Sequence, residues 1–186
     1  APLPGCLETL LTRNILKGKK TEQHAVLMEE VKGLDVRALF QSSREALRRE
    51  FEGACRAREK GRSLFGGLVM SKPTLIAECK KRKLLGQCEL LPSAAAGKPS
   101  SRVAVELSTA DVELAFLSCQ DGQGGDEGAE TINFDEFLLC VAICGCVKFE
   151  AVPEMSAVQR VEALVANFLW RLLGQAMMSD ARAPTL

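Results

Sequence analysis

Asp121, Asp126 and Glu130 lie in an acidic, glycine-rich run, Asp121-Gly-Gln-Gly-Gly-Asp-Glu-Gly-Ala-Glu130, and Glu136 follows shortly after it. Oxygen donors this close along a chain suit a hard divalent cation such as calcium, which takes about six to eight of them. The basic groups cluster elsewhere. Arg44 and Arg48 share a helix-like stretch, and Lys80-Lys81-Arg82-Lys83 closes another, where cations complement a helix C-terminus or dock on an acidic surface. Thiols are plentiful, with eight Cys, but one His and no Cys-x-x-Cys leave a structural zinc site without its ligand spacing. Cys140, Cys144 and Cys146 sit inside an apolar run and read as packing groups of a reduced, intracellular protein. A Cys-His nucleophile pair has only His24 to draw on, in a predicted surface helix. No dinucleotide or phosphate-loop glycine pattern, nucleophile elbow or His-Glu-x-x-His motif occurs. The chain therefore reads as non-catalytic, with no cofactor required.

Helices must position these groups. Leu3, Leu7, Leu10, Leu11 and Ile15 predict a first helix over 3–16, closed by Lys17-Gly18-Lys19-Lys20, and Thr21 caps a second that reaches Val31. Ser42 followed by Glu45 is a capping-box pattern, and it predicts a long helix through Leu47, Phe51, Ala54 and Cys55 to about Arg58. Leu68-Val69-Met70 is β-prone. Ser71 and Pro73 then open a helix that Gly86 stops after Leu85. Residues 91–101 are rich in Pro, Gly and Ser, follow no apolar period and read as a linker. Beyond it, Ser108 with Asp111, Asn133 with Glu136 and Ser156 with Gln159 mark three more helix starts. The helix over 134–147 is apolar nearly all round, so a neighbour must cover it.

Aromatic residues make up 5% of the 186 and include no Tyr, which disfavours β-sandwiches and stacking platforms for single-stranded nucleic acid. Residues 1–100 hold 19 Lys and Arg against 11 Asp and Glu, while residues 101–186 hold 5 against 13. Opposite charge on the two halves means either mutual attraction or a basic face turned to an acidic partner. No nucleic-acid motif accompanies the basic runs, which excludes nucleic acid as the expected partner. The longest uncharged apolar stretch, Phe137 to Val147, has 11 residues and is too short to span a bilayer. The chain opens Ala-Pro-Leu-Pro without an initiator Met, as a processed protein or the ordered part of a longer one does.

Helix, loop, β-prone pair and helix occur twice, over 43–85 around Val69-Met70 and over 108–147 around Ile132. The second copy, Asp111-Val-Glu-Leu-Ala-Phe116, an acidic loop and Thr131-Ile-Asn-Phe-Asp-Glu-Phe137, resembles the EF-hand superfamily of calmodulin-like proteins. The resemblance implies an all-α fold. It places Glu136 as the bidentate last ligand of a calcium loop and Ile132 in a short β-bridge to Val69 or Met70 of the other hand. Counting from Phe116, the second loop has about 16 or 17 residues where the family has about 12. The first loop has no Asp and puts Thr74 where the last Glu belongs. Two readings of the second loop stay open: a solvated loop in a hand kept for packing, or a weakened calcium site using Asp121, Asp126, Glu130 and Glu136.

These observations give an all-α protein with a degenerate EF-hand pair. The expected units are N-terminal helices over 1–34, a first hand over 35–90, a linker over 91–107, a second hand over 108–149, a packing helix over 150–178 and a tail over 179–186. Val161, Val165, Phe168 and Leu172 of the packing helix are expected to fill the groove of the hands by packing on Phe134, Phe137 and Val141. Arg44, Arg48, Lys80, Lys81, Arg82 and Lys83 are the expected partner contacts. The wording Ile132-Asn-Phe-Asp-Glu-Phe-Leu and Met155-Ser-Ala-Val-Gln-Arg-Val-Glu is also similar to divergent EF-hand proteins of protist flagella. That similarity implies a structural or adaptor role in a cytoplasmic, cytoskeletal or axonemal assembly, with tubulin or another acidic protein surface as partner. The alternative is a calcium-responsive regulatory subunit that uses the second loop.

Overall fold

The structure, a computed structural model, describes residues 25–58, 63–64, 67–90, 102–120 and 131–169. The expected helix over 3–16, the Thr21 cap, His24, the run 121–130, Leu172 and the tail lie outside the described residues. The described residues are mostly helical, with three short antiparallel ribbons among them. Helix α1 covers 25–31 and turns at Gly33, whose N–H donates to the Glu30 carbonyl at 3.1 Å. Helix α2 runs unbroken from Leu34–Arg58.

Ser42 is therefore not a helix start. Its hydroxyl donates back to the Leu39 carbonyl at 2.7 Å, a bond a Ser makes inside a helix. The apolar stripe explains why: Val36 and Phe40 continue the period of Leu47 and Phe51 on the far side of Ser42, and all four are buried. Burial of that stripe outweighs a local capping pattern.

Strands β1 (Ser63–Leu64) and β2 (Gly67–Leu68) pair with each other, and β3 (Met70–Ser71) leads into α3 (Lys72–Lys81). Helix α3 ends earlier than Gly86 suggested. Lys83 takes φ 56°, its N–H donates to the Lys80 carbonyl at 3.0 Å, and the Leu84 N–H donates to the Cys79 carbonyl at 3.0 Å. This is a Schellman stop with Lys where Gly is usual, and the buried pair Cys79 and Leu84 supplies its apolar contact.

Gly86, at φ 93°, opens β4 instead. Strand β4 (Gly86–Leu90) pairs antiparallel with β5 (Val103–Leu107), from Gly86↔Leu107 to Leu90↔Val103. Residues 103–107, expected in the linker, are thus a strand whose Val105 and Leu107 are buried. Helix α4 (Thr109–Ser118), strand β6 (Thr131–Ile132), helix α5 (Phe134–Lys148) and helix α6 (Ala157–Phe168) complete the described elements. Of the four expected capping boxes, the three beyond Ser42 are formed, at Ser108 and Asp111, Asn133 and Glu136, and Ser156 and Gln159.

Strand β3 pairs with β6, Met70↔Ile132 and Ser71↔Thr131, so the two helix–loop–helix units meet at a two-residue bridge. Of the two expected partners for Ile132, Met70 makes the pairing. Most of the buried apolar residues between Val31 and Leu169 form one cluster. Helix α5 lies at its centre, against α2, α4, α6 and β5, which is why a helix apolar all round is stable here. Helices α5 and α6 approach closely at Gly145, where an added Cβ would stand 3.0 Å from the Arg160 carbonyl oxygen and the Val161 Cα.

Candidate functional site

The candidate calcium ligands are only partly in view. Asp121, Asp126 and Glu130 lie outside the described residues, and Gln120 and Thr131 on either side of that run are tied by a 3.4 Å bond from Gln120 Nε2 to the Thr131 carbonyl. Glu136 is engaged at the start of α5. Its Oε2 accepts from the Asn133 N–H at 2.7 Å, while Asn133 Oδ1 accepts from the N–H of Asp135 at 2.9 Å and of Glu136 at 3.0 Å. The carboxylate therefore satisfies a helix N-terminus, where negative charge is favourable. In the first unit Thr74 is buried and accepts from the Ser71 hydroxyl at 3.1 Å. Among the described residues no three His, Cys, Asp or Glu side chains converge as a metal site.

The basic residues separate into two groups. Lys80, Lys81 and Lys83 are exposed around the end of α3, with Lys81 Nζ 3.3 Å from Glu78. Arg82 is not part of that surface, which corrects the expectation. Its side chain is 9% exposed, and its guanidinium bonds Glu50 of α2, the carbonyl of Phe168 at the end of α6 and, at 3.3 Å, Glu78 of α3. It also lies 4.2 Å from the centroid of the Phe168 ring. One planar cation with several fixed donors thus joins three helices. Its Nε has no hydrogen-bond partner, so the fork faces Glu50 and Phe168 at the expense of that atom.

Arg44 and Arg48 stay within reach of solvent, yet both touch Phe134: their guanidinium carbons are 5.2 and 4.3 Å from its ring centroid. Arg44 also pairs with Asp135 at 2.7 Å. Phe134 faces α2, with its ring centroid 5.5 Å from that of Phe51. The α6 contact falls to Phe137, 5.5 Å from Phe168 and nearly perpendicular to it. Val141, Val161 and Val165 are buried in the same core, as expected, and Leu172 lies outside the described residues. Helix α6 thus packs along α5.

Sequence reasoning missed Glu50, Glu78 and Lys148. Glu78 stands four residues before Arg82, the spacing of a helix ion pair, and was the available signal. Lys148 is buried and its Nζ donates to the Leu84 carbonyl at 2.6 Å, which fixes the end of α5 to the turn after α3. Of the described thiols, all but the exposed Cys88 are buried. Burial pushes Cys79 up and carries Cys146 to about 11, and hydrogen bonding with Cys119 and Cys144, then burial, pushes Cys140 up. Thiolate, the nucleophilic form, is suppressed at all three.

Two hollows flank the exposed face of α2. One, of about 750 Å³, is lined by Arg48, Phe51, Glu52 and Leu68, with Phe134 and Glu136 opposite. The other, of about 390 Å³, is lined by Val31, Lys32, Arg37, Phe40, Arg44 and Leu138. Asp135 and Leu139 line both. The arrangement offers apolar floors with charged rims. No family model matches this chain, and neither does any curated protein or solved structure.

Proposed function

We propose that the chain is a non-catalytic structural or adaptor protein built on a degenerate EF-hand pair, which holds protein partners without a calcium switch. The observation that carries this reading is the occupied groove: α6 lies along α5 through Val161, Val165 and Phe168 and is held by Arg82 from two other helices. A helix pinned in this way suits a fixed shape better than one that opens. The bridge Met70↔Ile132 between two helix–loop–helix units supports the EF-hand reading, as does the placement of Thr74 and Glu136 four residues beyond it. The resemblance suggests a cytoskeletal, axonemal assembly as the setting and an acidic surface, tubulin included, as the partner.

Calorimetry with calcium tests the reading. The expected result is no saturable heat with a dissociation constant below about 10 μM, the range of sensor hands. A tight calcium heat abolished by Glu136→Gln would overturn the adaptor reading in favour of a calcium-responsive subunit. Gln preserves the capping pattern, so that variant keeps its helix start.

A further inference from the structure

We propose that the hollow between the end of α1, the first half of α2 and α5 docks an acidic amphipathic segment of a partner protein. The proposal rests on the adaptor reading and names its contact surface. The floor is apolar, with Val31, Phe40 and Leu138 buried and Leu139 half-buried. The rim carries Lys32, Arg37 and Arg44 against one carboxylate, Asp135, which Arg44 already binds at 2.7 Å. Lys32 and Arg37 are exposed and have no ion-pair partner among the described residues. About 390 Å³ falls within the roughly 300–1,000 Å³ of hollows that bind ligands.

Exposed cations on a helix are usually only solvated, and two facts set this face apart. The first is the concave apolar floor beneath them. The second is Leu34, 81% exposed, one turn before Arg37 on the stripe that continues through Gln41 and Arg44. Water-facing Leu beside unpaired cations favours an occupant with both carboxylates and apolar anchors.

The neighbouring hollow sets the occupant's polarity. There Arg48 is joined in the lining by Glu52, Asp135 and Glu136, of which Glu52 is paired with Arg56 at 2.8 Å and Asp135 with Arg44 at 2.7 Å, so that wall offers a further carboxylate less than Lys32 and Arg37 do. The occupant's acidic end therefore belongs over Lys32 and Arg37, with apolar side chains continuing toward Leu139. A helix suits this track because an apolar residue every third or fourth position gives one stripe to lay along it. An anionic membrane is flat and cannot reach the floor, which favours a protein segment.

The test uses the full chain and a synthetic amphipathic peptide of about four helical turns, with Leu at helical spacing and Glu at its N-terminal end. A second peptide carries Lys in place of Glu. Binding is followed by fluorescence anisotropy, and the contact is mapped by NMR of the Val and Leu methyl groups. The acidic peptide should bind, shift Val31, Leu138 and Leu139, and lose at least about tenfold in affinity, a modest fraction of a charge-pair coupling, in the Lys32→Glu/Arg37→Glu variant. The Lys peptide should bind that variant better than the parent. A Lys80→Glu/Lys83→Glu control should bind the acidic peptide like the parent, and circular dichroism checks that the variants keep their helicity.

Equal binding of the two peptides, no effect of charge reversal, or shifts confined to Leu114 and Leu117 of α4 would each overturn the proposal. So would anionic vesicles that need Lys32 and Arg37 when the acidic peptide does not bind, because the surface would then be lipid-binding. None of these outcomes alters the calcium result, so the adaptor reading stands or falls separately.

Discussion

Arg82→Ala is expected to destabilise the protein far more than any other change in the basic run. The substitution leaves Glu78, 5% exposed, and Glu50, 28% exposed, without their shared cation, and frees the Phe168 carbonyl at the end of α6. Removing one member of a buried ion pair costs about 3–5 kcal/mol. Lys81, 3.3 Å from Glu78 but half in solvent, offsets a small part. Loss of the cation above the Phe168 ring acts in the other direction, worth up to about 2 kcal/mol where desolvated. These effects share atoms and do not add, so about 3 kcal/mol is expected. At about 2–4 °C per kcal/mol for a chain of this size, the melting temperature should fall by roughly 6–12 °C. Lys80→Ala should stay within about 0.5 kcal/mol of the parent, as exposed positions do. Paired thermal and urea melts measure both. Replacing the whole network, Arg82→Met with Glu78→Met and Glu50→Gln, should recover much of the loss, because an apolar substitute removes the stranded charges. An Arg82→Ala protein that melts within about 1 kcal/mol of the parent, or a triple variant worse than the single, would refute the buried-hub account.

Two glycines should respond in opposite directions in urea melts. Gly53→Ala, in an exposed turn of α2 with nothing within 4 Å of the new Cβ, should stabilise by about 0.5–1 kcal/mol, whereas Gly145→Ala should destabilise, since a 3.0 Å approach to the α6 backbone costs about 1–3 kcal/mol and exceeds the helix-propensity gain. Lys83→Gly should raise stability by about 1 kcal/mol in thermal melts by relieving a left-handed backbone at φ 56°. Alkylation by iodoacetamide near neutral pH, read by mass spectrometry of the folded protein, should mark exposed Cys88 well before Cys79, Cys140 and Cys146. Burial raises those three thiols, so their thiolate fraction stays low until the pH approaches the raised values, about 11 for Cys146.

What could be read from the sequence was local. A capping box involves four consecutive residues, so the starts of α4, α5 and α6 were legible at Ser108, Asn133 and Ser156. The Met70↔Ile132 pairing was narrowed to two candidates by the EF-hand resemblance, which implies a short bridge from Ile132 to the β-prone Val69-Met70 pair. The same local rule failed at Ser42, where Val36 and Phe40 extend the buried stripe upstream and the competing bond goes back along the helix. Strand β4 was hidden because Gly86-Gln87-Cys88-Glu89-Leu90 has little β propensity and its first four residues are exposed; its partner β5, beyond the Pro and Ser run, makes it a strand. Nothing in Lys80-Lys81-Arg82-Lys83 alone picks out Arg82. That choice depends on where α2 places Glu50 and where α6 ends, and both are decided by packing. The hollow beside Lys32 and Arg37 is likewise a product of three helices meeting.

The ribbon of β4 and β5 has a consequence for how the chain can be extended. Leu90 and Val103 are cross-strand partners, so their Cα atoms lie about 4.5–5.5 Å apart. Whatever sequence joins them leaves and returns at nearly one point, and each doubling of its length adds only about 0.6 kcal/mol of closure entropy. A guest domain with neighbouring termini could be spliced in there while the ladder from Gly86 to Leu107 keeps the host helices in register. Growth of the chain at this position, during evolution or by engineering, would therefore cost the core little.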